Sequence, residues 1–156
     1  MSEASFLGPH VSAAFLCEKI LIERDGVPSF IRVAERFTVP IFSGQAPPGV
    51  QIPQQVIQTT LVISLKSGDL GGGKQNVKVR MQKPDHSYTP EQTVPVFFNG
   101  GDDQGALIAL PIVLASPEEG LYWFDVSLEA VPLTRIPMRV LHQPAVLQFQ
   151  QPPGER

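Results

Sequence analysis

The chain has 156 residues with 42% hydrophobic and 17% charged side chains, enough to bury one core and too apolar for a disordered segment. Its formal net charge is -3, and its nearest approach to a basic tract is Lys74, Lys78, Arg80 and Lys83 spread along one segment; this excludes the concentrated positive charge of a phosphate-backbone binder. Cys17 is the only cysteine, so an internal disulfide and a cysteine-rich zinc module are excluded as well.

Val11–Arg24 is apolar on both parities and ends at Asp25-Gly26, a pair suited to the left-handed positions of a type I′ hairpin turn. Ser29–Ile41, rich in Phe, Ile and Val, is the returning strand. A two-residue turn at Asp25-Gly26 sets Arg24 against Val27 and Glu23 against Pro28. It also sets Lys19 against Arg32, a like-charge pair that a bulge would relieve.

The segment Ser43–Pro53, with Gly44, Pro47, Pro48 and Gly49, reads as a loop. Gln54–Ser67 follows as a strand with Leu61, Ile63 and Leu65 on its dry face and Thr60, Val62, Ser64 and Lys66 on a wet one. After a turn at Gly68–Gly73, Val77, Val79 and Met81 alternate with Lys78, Arg80 and Gln82, the pattern of a half-buried strand. Pro84-Asp85-His86 ends it. In Gln92–Asn99 and Ala106–Ala115, Pro95 and Pro111 point to edges or bulges.

Ser116–Gly120 is a turn. Leu121–Glu129 then places Tyr122, Phe124, Val126 and Leu128 on the core face, and Trp123, Asp125, Ser127 and Glu129 on the other. In Leu133–Leu141, Thr134, Ile136, Met138 and Val140 oppose Arg135, Arg139 and Leu141. Val146, Leu147 and Phe149 are expected to fold back on the body. The expected organisation is a flexible start over 1–10, one domain over 11–149 and a flexible tail over 150–156. About eight short strands without a βαβ rhythm predict an all-β, antiparallel two-sheet sandwich, immunoglobulin-like or C2-like, with a closed barrel as the alternative.

Chemistry-bearing residues are sparse. Gly71-Gly72-Gly73-Lys74 lacks the spacing and following hydroxyl of a phosphate loop. Cys17 in an apolar strand reads as a small buried hydrophobe, although the fold can still bring it to His10, His86 or His142. Asp102 and Asp103, with Asp69 and Asp85 in other loops, have the residue type for calcium but read as solvated turns. Glu118 and Glu119 read likewise. No catalytic, cofactor-binding or metal-binding residue is assigned, and no cofactor is expected. Trp123, Arg135 and Arg139 compose an interaction face if the last two strands pair, since aromatic and Arg side chains dominate binding hot spots.

Ala14-Phe15-Leu16-Cys17-Glu18, Arg24-Asp25-Gly26 and Ile31-Arg32-Val33 resemble the opening of a family of short bacterial proteins of unassigned activity. Gly120–Val126 and Leu133–Val140 resemble its end, so the likeness spans about residues 11–142. It implies a β-sandwich and brings no activity, cofactor or catalytic residue with it. Glu129-Ala130 departs from the Asp-Gly type of turn such relatives carry, because Ala fits a left-handed position poorly.

The function expected from these readings is a non-catalytic protein-interaction or assembly domain, the partner being another protein or a second copy. Small-molecule or carbohydrate binding is the alternative, and an enzyme with a site assembled from distant residues comes third. The beginning, Met1–His10, has no signal-peptide pattern and no apolar run is long enough to span a bilayer. A cytoplasmic location, no membrane insertion and no nucleic-acid partner are therefore expected.

Overall fold

Alternating apolar and polar residues settle most of the architecture. In the computed structural model, which describes residues 7–44, 46–101 and 103–147, they give nine strands: β1 (His10–Ile22), β2 (Pro28–Val33), β3 (Arg36–Phe42), β4 (Val56–Lys66), β5 (Gly72–Gln82), β6 (Gln92–Asn99), β7 (Gly105–Ala115), β8 (Gly120–Leu128) and β9 (Val131–Ala145). A short 3₁₀ turn at Gly68–Leu70 is the one helical element among the described residues. Residues 1–6 and 148–156, with Phe149 and the expected tail, lie outside them.

The strands form a four-stranded sheet, β2-β1-β4-β7, and a five-stranded sheet, β3-β9-β8-β5-β6, the latter curled into a half-barrel. Two distinct sheets replace the closed-barrel alternative. Leu61, Ile63 and Leu65 of β4 and Ile108 of β7 face Val77 and Val79 of β5, Tyr122, Phe124, Val126 and Leu128 of β8, and Ile136, Met138 and Val140 of β9 across one core. Each such side chain, removed from water, contributes on the order of 1.5–3 kcal/mol.

Several expectations are corrected. Ser29–Ile41 is two strands: Arg32 takes φ 53, β2 ends at Val33, and the chain crosses to the other sheet. There Arg139 N donates to Glu35 O at 2.7 Å, and β3 runs parallel to β9 from Arg36 opposite Arg139 to Phe42 opposite Ala145. The sandwich is thus not wholly antiparallel.

The first hairpin also turns differently. Gly26 has φ 83, as its glycine requires, but Asp25 does not take positive φ, so the turn is not type I′. Gly26 N donates to Glu23 O and Glu23 N to Val27 O, both at 2.9 Å. The loop therefore has three residues with a left-handed glycine last, which is a bulge at the turn itself. The register moves by one, Ile22 opposing Pro28 and Lys19 opposing Ile31. Arg32 escapes Lys19 and pairs with Glu18 at 3.1 Å.

The final turn keeps two residues, Leu128 opposing Val131, with Glu129 rather than Ala130 at positive φ, 49°. Glu129 is held by Asn76, whose N–H donates to Oε1 at 2.8 Å and whose carbonyl accepts from Glu129 N at 2.9 Å. The face of β4 expected to be wet is only partly so. Val62, opposite Phe15, and Cys17, opposite Thr60, are wholly buried yet lie outside the main core. The Phe15 and Phe30 rings meet edge to face at 4.9 Å, giving the outer side of this sheet a small apolar cluster of its own.

Candidate functional site

The outer face of the five-stranded sheet gathers the three expected residues. Trp123 on β8 opposes Pro137 of β9 and Gln82 of β5. Arg135 and Arg139 flank Pro137 two residues to either side, on the outward parity of β9, and Arg135 reaches the Trp123 ring along a diagonal of the sheet. Val, Ile, Met and Phe side chains of these strands point into the core, and the register sets Arg135 of β9, Asp125 of β8 and Arg80 of β5 side by side on the outer face.

Arg135 is the organising side chain. Its guanidinium lies 4.7 Å from the centre of the Trp123 ring, its Nε donates to Asp125 Oδ1 at 2.8 Å, and its Nη2 donates to Gln82 Oε1. Asp125 is also 3.8 Å from Arg80 Nε, and the Arg80 guanidinium lies 4.2 Å from the Tyr88 ring centre. Two cation–aromatic stacks are therefore joined through one carboxylate, Trp123 to Arg135 to Asp125 to Arg80 to Tyr88. Lys78 meets Glu91 at 3.6 Å beside them.

Arg139 stands apart from this network. It opposes Leu121 on one side and Arg36 on the other. Neither guanidinium has an ion pair or hydrogen bond among the described residues. Like charges set opposite each other in register are destabilising. Lys74 faces Phe97 at the β6 edge, and Phe97 is 68% exposed. Six of the chain's 12 Lys and Arg side chains thus share one face of a protein of net charge -3.

Arg36, Arg80, Tyr88 and Phe97 were missed in the sequence. The outward parity of Lys78, Arg80 and Gln82 was visible there. Its neighbourhood was not, because β5 pairs with β8 across more than forty residues of chain.

The other candidates are dispersed. Gly72 and Gly73 pair with Asn99 and Phe98 in a strand, not in a phosphate loop. Cys17 is buried and its thiol is pushed up by desolvation, partly offset by a backbone hydrogen bond at Lys19. His10 lies on the same strand opposite Lys66, its Nδ1 3.2 Å from Gly8 O. His142 Nε2 donates to Pro117 O at 2.8 Å, and its Nδ1 is 3.8 Å from Glu119. His86 sits in the β5–β6 turn with φ 67. None of these imidazoles is brought to Cys17.

Asp69 and Asp85 fall at opposite ends of β5, so they do not share a loop cluster. Asp85 instead accepts from the Ser87 hydroxyl and backbone N–H, contacts that lower its pKa. Asp103 lies in the loop whose Gln104 carbonyl accepts from Ser67, while Asp102 is outside the described residues. Among those residues no cluster of His, Cys, Asp or Glu could hold a metal ion, and no helix is long and apolar enough to cross a membrane. No family model and no curated protein matches the chain.

Proposed function

We propose that the chain is a non-catalytic interaction or assembly domain of the cytoplasm that binds an acidic surface of another protein through the outer face of its five-stranded sheet. The observation that carries this is the meeting of Arg36, Arg139, Arg135, Arg80, Lys78 and Lys74 with Trp123, Tyr88 and Phe97 on that one face. Arg and aromatic side chains are the residues that anchor protein interfaces. A protein partner fits better than nucleic acid because Asp125 and Glu91 lie among the cations, where a phosphate backbone would meet them unfavourably. A sugar platform fits less well, since Arg135 covers the Trp123 ring.

The finer architecture belongs to the same proposal. Of the two sandwich plans expected, the immunoglobulin-like one is supported by the strand order: β4 to β9 weave between the sheets, and β3 lies parallel beside the last strand.

Affinity capture from native lysate tests the reading, with the wild type, Trp123→Ala and Arg139→Glu as baits. The expected result is an acidic protein that binds the wild type directly, dissociates as salt is raised and is lost by both variants. A folded wild type that captures no macromolecule but is strongly stabilised by a single metabolite overturns it.

A further inference from the structure

The second unusual surface is the outer face of the four-stranded sheet. On the β7 edge Leu107, Ala109, Pro111, Val113 and Ala115 all point outward, all are exposed and all are apolar; Leu107 is 48% and Val113 61% exposed. The solvent face of an antiparallel sheet is ordinarily polar, as β5 illustrates with Lys74, Asn76, Lys78 and Arg80. The inner residues of β7, Ile108 among them, already fill the core, so the outer row serves something else.

We propose that this face packs against the same face of a second copy of the chain, in a two-fold dimer. Between Val56 and Ser64 of β4 and along β7 the outward positions carry no Asp, Glu, Lys or Arg. Over that span these two strands bring no charge to select a different partner and none to repel an identical one. The opposite face of the molecule, with six cations, would repel its own copy, so the uncharged sheets meet and the basic faces point away from each other.

Size and shape agree. Nine residues from Leu107 to Ala115 span roughly 27 Å at about 3.4 Å each, and β7, β4 and β1 at about 4.8 Å spacing add a width of roughly 15–20 Å. Two such footprints bury on the order of 1,000 Å², the lower bound of a specific interface. Ala109 beside Val62 and Pro111 beside Thr60 keep the centre low enough for sheets to stack about 10 Å apart. Pro111 also denies the β7 edge a backbone donor, which disfavours edge-to-edge pairing as the mode of association.

The mass in solution tests this independently of the basic face, by sedimentation equilibrium and light scattering on the wild type, Val113→Glu, Leu107→Lys and Arg139→Glu. The expected result is twice the 17.0 kDa chain mass for the wild type and Arg139→Glu. The two variants of the apolar face should show the single-chain mass with an unchanged circular dichroism spectrum. A wild type that stays monomeric at about 200 µM overturns the proposal whatever the variants do. So does a dimer that survives Val113→Glu but is broken by Arg139→Glu. A monomeric wild type that floats with phosphatidylcholine vesicles gives the face to lipid and overturns it too.

Discussion

Arg135 holds its guanidinium 4.7 Å from the centre of the Trp123 ring, steadied by the 2.8 Å bond from its Nε to Asp125. Trp123 is the only tryptophan, so its fluorescence reads this contact directly. Arg135→Ala uncovers the ring and should raise the acrylamide quenching constant measurably. The stability loss should stay below about 1 kcal/mol, because the pair is partly exposed. Asp125→Ala, which frees Arg135 without removing it, should raise quenching by a smaller amount. Unchanged quenching in Arg135→Ala would show that the stack does not persist in solution.

Phe124 is 1% exposed and opposes Ile136 on one side and Met81 on the other. Phe124→Ala should cost about 3–5 kcal/mol in urea unfolding, the range for removing a buried ring from a packed core. Trp123→Ala, one residue along the same strand, should cost far less because its side chain faces out. Equal losses at the two positions would mean that the strand's faces are assigned the wrong way round.

Those two faces were legible because Tyr122, Phe124, Val126 and Leu128 alternate without a break, and the same holds for Val77, Val79 and Met81. Pro95 and Pro111 correctly signalled edges, since β6 and β7 close their sheets. What the sequence hid was long-range. Nothing local says that Ser29–Ile41 is cut at Arg32 and shared between two sheets, or that β3 lies parallel to β9. Both depend on partners a hundred residues away. The first hairpin failed for a smaller reason: Asp-Gly serves a two-residue turn and a three-residue loop ending in left-handed glycine alike, and that one residue moves Lys19 from Arg32 to Ile31. Of the candidate site, the outward parity of Trp123 and of Arg135 and Arg139 was readable. The addition of Arg36, Arg80, Tyr88 and Phe97 required the sheet order.

Alkaline pH should weaken the fold through two groups. Burial pushes up both the Cys17 thiol and the Tyr122 phenol, whose hydroxyl also donates to Glu118 O at 3.1 Å. In the unfolded chain they ionise near about 8.5 and 10. Above those values the unfolded state gives up protons that the folded state keeps, so unfolding becomes easier as pH rises. Below about pH 8 both groups are neutral in both states and contribute no slope. Urea midpoints should therefore fall between about pH 8.5 and 10.5, and Cys17→Ala should remove the earlier part of the decline. Dithionitrobenzoate should label Cys17 only as the protein unfolds; rapid labelling of the native protein would contradict its burial.

Each edge strand carries a proline: Pro28 in β2, Pro40 in β3, Pro95 in β6 and Pro111 in β7. The central strands β1, β4, β5 and β8 have none. In β9, Pro132 and Pro137 precede the stretch paired with β3, and Pro144 follows the stretch paired with β8, so each lies where one side has no strand. Pro95 shows the geometry best. It opposes Asn76, but the Asn76 N–H and C=O are both spent on Glu129. Residue 95 therefore occupies a non-hydrogen-bonded position whose backbone N points away from the sheet. A threonine there would restore an outward donor and complete a template for a further strand. Pro95→Thr should leave the free energy of unfolding in urea within about 0.5 kcal/mol of wild type, as an exposed substitution on a β-compatible backbone. It should nevertheless aggregate faster at 37 °C, followed by light scattering and thioflavin fluorescence. Introducing lysine at the same position, which also restores the N–H but adds charge at the edge, should return the kinetics toward wild type. If Pro95→Thr and wild type aggregate at the same rate, the missing donor is not what protects this edge, and strand addition to β6 would have to be considered beside the outer face as a way of meeting a partner.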